Sequence, residues 1–108
     1  MAVTCTTLEE VRTNIDHLDQ QIVTLLAERG RYVSQAARFK KDANGVKAPQ
    51  RVEQVIAKVR GISETVGAKP EVTEQVYRAM IAAFIQQELA EHAVLTAPEK
   101  PTLASTNS

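Results

Sequence analysis

From Leu8 onward, apolar side chains return every third or fourth position. Leu8, Val11, Ile15, Leu18, Ile22 and Leu25 carry the rhythm, and it runs on through Arg29, Tyr32, Ala36 and Phe39. That period marks one face of a helix. Thr7, with Glu10 three residues later, supplies a capping box at its start. Only Gly30 interrupts the pattern, and an isolated glycine is tolerated inside a helix at a cost. The spacing predicts a first helix from near Thr7 to about Lys41. About 34 residues at 1.5 Å each make a rod of roughly 50 Å. A compact chain of this size has a radius of gyration of only about 13 Å. Such a helix overhangs any globule the chain can build alone, and its apolar stripe overhangs with it. A second copy solves the problem, the long helices packing together and the shorter ones wrapping around them. The alternative is a break at Gly30, which would give a monomeric four-helix bundle.

The rest of the chain is helical too. Asp42–Gln50 is expected as a loop, punctuated by Asn44-Gly45, and Pro49 suits the first turn of a second helix. Val52, Val55, Ile56, Val59 and Ile62 form its stripe, which ends near Gly67. Pro70 opens a third helix with two stripes. One is Val72, Val76, Met80 and Ala83; the other is Tyr77, Ile81, Phe84, Ile85 and Leu89. Residues 96–108 are expected to be a disordered tail rich in Pro, Thr and Ser, leaving residues 7–95 as the domain. The expected fold is all-α: a three-helix subunit with one long N-terminal helix, in an intertwined homodimer.

Composition narrows the function. Thirteen basic and thirteen acidic residues balance, so the basic excess of a nucleic-acid binder is missing. No apolar run approaches the ~20 residues of a membrane span. The N-terminal stretch has neither the charged start nor the apolar region of a secretory signal. A single cysteine, Cys5, suits a reducing cytoplasm. His17 and His92 stand apart in sequence and are expected as surface helix residues, so no metal is expected.

Four cations sit on or beside the apolar stripes: Arg12, Arg29, Lys40 and Arg51. Each alone has an ordinary explanation. Arg12 can pair with Asp16, Arg29 can extend its head to water, Lys40 suits a helix C-terminus, and Arg51 can find an acid elsewhere. Together they point to a bound anion, because a charge beside a core needs a partner. Arg29 and Lys40 are nearly three helical turns apart and would face the same way. Arg12 and Arg29 are about 25 Å apart on a straight helix, too far for one small molecule. An antiparallel pair of chains would bring one copy's Arg12 beside the other's Arg29, around a polar, anion-binding cavity.

The succession Arg12, Arg29, Lys40 and Arg51, within "VRTNIDHLDQQIVTLLAERGRYV", "AARFKK" and "APQRV", resembles the all-helical chorismate mutases. The likeness spans roughly Leu8 to Glu91 and is greatest to the branch that includes isochorismate pyruvate lyase. The resemblance implies a homodimer with two sites, each completed by an arginine from the other copy. Arg12 of one copy and Arg29 of the other would clamp the two carboxylates of a dicarboxylate substrate. Lys40 would donate to the ether oxygen whose bond breaks, Arg51 would assist near the ring, and Asp42–Ala48 would act as a lid. The implied reaction is the [3,3] rearrangement of chorismate to prephenate, for phenylalanine and tyrosine synthesis, without cofactor or metal.

Two positions depart from the family pattern. A glutamine often shares the ether oxygen with the lysine; here Glu88 falls at that position, with Gln87 one step round the helix. Glu88 can help only as a protonated donor; otherwise it faces solvent and Gln87 donates. Val52 stands where many chorismate mutases place a glutamate that binds the ring hydroxyl, and is more like the lyase branch. Isochorismate pyruvate lyase is therefore the second expectation, and 4-amino-4-deoxychorismate mutase a lesser one. A non-catalytic helical dimerisation module is the expectation of another class.

Overall fold

A computed structural model describes residues 2–96 of the chain. They form three long helices and one short one: α1 (Leu8–Ala37), α2 (Ala43–Lys47), α3 (Pro49–Val66) and α4 (Pro70–Thr96). The all-α class is as expected. The chain divides into two units, the first ending at Tyr32 and the second beginning at Val33, and α1 runs unbroken through Gly30 from one into the other. The break required for a four-helix bundle does not occur. Of the expected tail, Thr96 closes α4 and the rest lies outside the described residues. Among the described residues, no helix is long and apolar enough to cross a membrane.

In the first unit the capping box forms as the sequence predicts. Glu10 donates its amide to Thr7 Oγ1 at 3.1 Å, and its own Oε1 accepts from the amides of Thr6 and Thr7 at 3.0 and 3.1 Å. The Thr6 hydroxyl donates to the same oxygen at 2.6 Å. These bonds, the Thr6 hydroxyl first, hold the Glu10 carboxyl below its ordinary range. The stripe Leu8, Val11, Ile15, Leu18, Ile22 and Leu25 is 39–61% exposed.

α1 stops four residues before the expected Lys41. The amides of Arg38, Phe39 and Lys40 turn back to the carbonyls of Gln35, Ala36 and Ala37 at 3.2, 3.0 and 3.4 Å, a tightening to three-residue turns. Phe39, expected on the stripe, is consequently 84% exposed. The phase argument that aligned Arg29 with Lys40 lapses with the helix. The expected loop after Asp42 contains α2, capped by Asp42 Oδ1, which accepts from the Gly45 amide at 2.9 Å.

The second unit is built on an antiparallel pair, α3 and α4. Their direction follows from the ion pairs across them: Arg60 meets Glu74, while the earlier Glu53 meets the later Arg78. Gly67 makes the reversal possible. It caps α3 at φ 80°, a left-handed conformation in which a side chain is strained, and the Ala68 amide returns to the Ser63 carbonyl at 2.8 Å. Ala37, Val46, Ile56, Val59 and Ile81 form the buried apolar core. Of the two stripes expected on α4, the one containing Ile81 packs, while Val72 and Val76 remain exposed.

Arg78 clamps the hairpin. Its two terminal nitrogens donate to both oxygens of Glu53 at 2.9 and 3.0 Å, and its Nε to Glu74 at 2.7 Å. A planar fork on a carboxylate is a favourable geometry. Hydrogen bonding from Arg78 lowers both carboxyls, with Arg60 adding to the effect on Glu74. A carboxyl lowered by folding adds stability that is complete above its ordinary value of 4.5 and is lost as pH falls through the lowered value. Urea midpoints are therefore expected to fall on acidification below about pH 4.5, and Arg78→Gln to make that fall shallower. An equal acid slope in the variant would exclude the clamp as its source.

Candidate functional site

The early end of α1 turns the chain across α4. Lys40 arrives there in the short connection to α2, and its ammonium donates to Glu88 Oε2 at 2.7 Å. The Glu88 side chain is 5% exposed and that of Lys40 26%. The sequence left open whether Glu88 or Gln87 points inward from α4. Glu88 does; Gln87 is exposed and donates to Glu91 Oε2 at 3.4 Å. Both residues lie on one helix, so a rotation of about 100° between neighbours decides which is buried.

Of the other expected site residues, Arg12 is exposed near the start of α1 and makes no ion pair or hydrogen bond among the described residues, Asp16 included. Arg29 is half-buried in the first unit. Arg51 stands exposed in the first turn of α3, also without an ion pair among the described residues. Val52 is half-buried, and the neighbouring carboxylate, Glu53, is engaged by Arg78. Lys40 and Glu88 are thus the two expected site residues that meet within one unit.

The expectation for His92 requires correction. It is 7% exposed, not a surface residue, and its Nε2 lies 2.7 Å from the Lys40 carbonyl oxygen. A carbonyl can only accept, so Nε2 carries the hydrogen. The only sequence signal was its spacing, one turn beyond Glu88, and that signal has meaning only once Glu88 is known to face inward. Glu91 was missed as well. Its Oε2 accepts from Ser34 at 3.1 Å, while Oε1 is buried without a hydrogen-bond partner among the described residues. Ser34, Arg38, Ala90, Glu91 and Val94 line an open cleft of about 410 Å³.

The arrangement offers a flexible cation held against a buried carboxylate. An ammonium is a compact donor suited to one oxygen atom. Among the described residues, no group of His, Cys, Asp and Glu is arranged to hold a metal.

The family described as chorismate mutase type II matches the chain over residues 11–89. That span contains Arg12, Arg29, Lys40, Arg51, Gln87 and Glu88, and ends before His92. The chain is also 31% identical over 85 residues to an isochorismate pyruvate lyase of Pseudomonas aeruginosa, covering 79% of this chain and 84% of that protein.

A buried carboxylate stripped of its cation loses more than the pair gained in water. Lys40→Met is expected to lower unfolding stability by about 2 kcal/mol or more. Adding Glu88→Gln should restore most of that loss, a coupling read directly from a double-mutant cycle in urea. Additive effects would mean that the two side chains act independently.

Proposed function

The chain belongs to the chorismate mutase type II family, and from that membership we propose that it rearranges chorismate to prephenate in a site shared by two copies of the chain. The observation that carries this reading is the Lys40 ammonium against the inward-facing Glu88, at 2.7 Å. A [3,3] rearrangement needs no nucleophile. It needs the enolpyruvyl group held over the ring and negative charge accommodated on the ether oxygen. In this reading Arg29 and the partner subunit's Arg12 grip the two carboxylates. Lys40 donates to the ether oxygen and Arg51 assists near the ring. The segment 42–48 closes over them, and the product serves phenylalanine and tyrosine synthesis in the cytoplasm. The exposed α1 stripe supports the paired state, because burying it at roughly 25 cal/mol per Å² is a large gain. Sedimentation is expected to give a dimer.

Glu88 gives the reading a direct test. An ionised carboxylate repels charge gathering on the ether oxygen, whereas a protonated one donates to it beside Lys40. Glu88→Gln, a permanent donor, is therefore expected to raise kcat with chorismate. An unchanged kcat in Glu88→Gln would exclude Glu88 from the chemistry.

A second reading, elimination of pyruvate from isochorismate to leave salicylate, is favoured by Val52. With Val52 half-buried and Glu53 bound to Arg78, the start of α3 offers no ready carboxylate for a ring hydroxyl. The relative's name points the same way. The deciding experiment supplies chorismate and isochorismate separately and assays prephenate, salicylate and pyruvate. The proposal expects prephenate with the higher kcat/KM. Salicylate and pyruvate as the main products would establish the lyase. No turnover of either compound would leave a helical dimerisation module.

A further inference from the structure

We propose that His92 is a positioning residue that fixes the backbone of Lys40, so that the lysine keeps its place when the segment after it moves. The inference rests on the role given to Lys40 under the proposed function. Lys40 lies beyond the end of α1, at the start of the connection into α2, where the helical ladder no longer holds the chain. Its amide makes one long bond, 3.4 Å, to the Ala37 carbonyl. Its carbonyl accepts from His92 at 2.7 Å, and its ammonium donates to Glu88 at 2.7 Å. Glu88 and His92 are one turn apart on α4, so a single helix face holds both ends of the residue.

The two contacts differ in kind. The Glu88 bond engages a flexible side chain, which can swing to another acceptor. The His92 bond engages the backbone, from a ring that is 7% exposed and fixed by its own burial. With the pivot fixed, exchange of the ammonium between Glu88 and a substrate oxygen needs only side-chain rotation. Two residues further on, Asp42 caps α2, whose Val46 is 2% exposed. Movement of α2 would pull directly on Lys40 were its carbonyl not held. Displacement of a catalytic group by about 1 Å can cost roughly a hundredfold in rate.

The test compares His92→Leu, which removes the donor, with His92→Gln, whose amide can replace Nε2–H. His92→Leu is expected to lower kcat by roughly tenfold to a hundredfold with KM within about threefold, since the residue orients the lysine and does not touch substrate. His92→Gln is expected to recover to within about threefold of the parent. Hydrogen exchange at the Lys40 amide supplies a readout independent of turnover: faster in His92→Leu, restored in His92→Gln. If His92→Leu does not fold, His92→Asn, whose donor is too short to reach, takes its place. Equal kcat in the Leu and Gln variants, a loss in KM alone, or unchanged Lys40 exchange would each overturn the proposal. If the parent protein turns over neither chorismate nor isochorismate, the functional reading fails by itself, and the exchange data still decide whether the anchor exists.

Discussion

A carboxylate with 4% of its surface exposed cannot be left alone in a protein interior. Glu88 is such a group, and the Lys40 ammonium is its answer. The requirement shapes the chain around it. α1 must stop at Ala37 so that Lys40 can leave the helix and cross α4. The amides just past α1 tighten to reach the carbonyls of Gln35, Ala36 and Ala37. His92 takes up the carbonyl that the broken ladder leaves behind. α2 then begins at once, capped by Asp42. A pair this buried is weak evidence for stability, because desolvation offsets much of the attraction. Its value lies in setting where one residue sits.

The two halves of the molecule solve burial differently. In the second unit α3 and α4 bury a small core and close it with surface ions: Arg78 grips Glu53 and Glu74, and Arg60 reaches Glu74. In the first unit α1 carries a continuous apolar stripe that stays exposed in a single chain. A run of apolar residues at helical spacing with water on it is incomplete as a piece of protein architecture. The proposed pairing of two copies would complete it and, in the proposed site, bring in the partner subunit's Arg12.

The parts legible in the sequence were those written in local chemistry. Thr7 and Glu10 marked one helix start, Pro49 and Pro70 two others, and Gly67 an end, because capping and left-handed conformations depend on neighbours within a turn. The cations at 12, 29, 40 and 51 were legible as a spacing. What the sequence could not yield came from distant partners. The rhythm from Leu8 ran on to Phe39, yet the helix ended earlier, since Glu88 and His92 compete for the chain there. Local phase could not rank Glu88 above Gln87. His92 looked like a surface residue because nothing near it in sequence announces a carbonyl arriving from residue 40.

The contacts of the second unit are ordered by the length of chain they enclose. Starting at Gly67, Arg60 and Glu74 are 14 residues apart, Glu53 and Arg78 25, Lys40 and Glu88 48, His92 and Lys40 52, and Ser34 and Glu91 57. Closing a longer loop costs more entropy, but each inner contact shortens the effective loop for the next. Loop closure thus favours an order that runs outward from the turn, with the lysine's two tethers lying outside the hairpin's own ion pairs. The anchoring of Lys40 therefore depends on the hairpin beneath it, whereas the hairpin's ion pairs close much shorter loops without it.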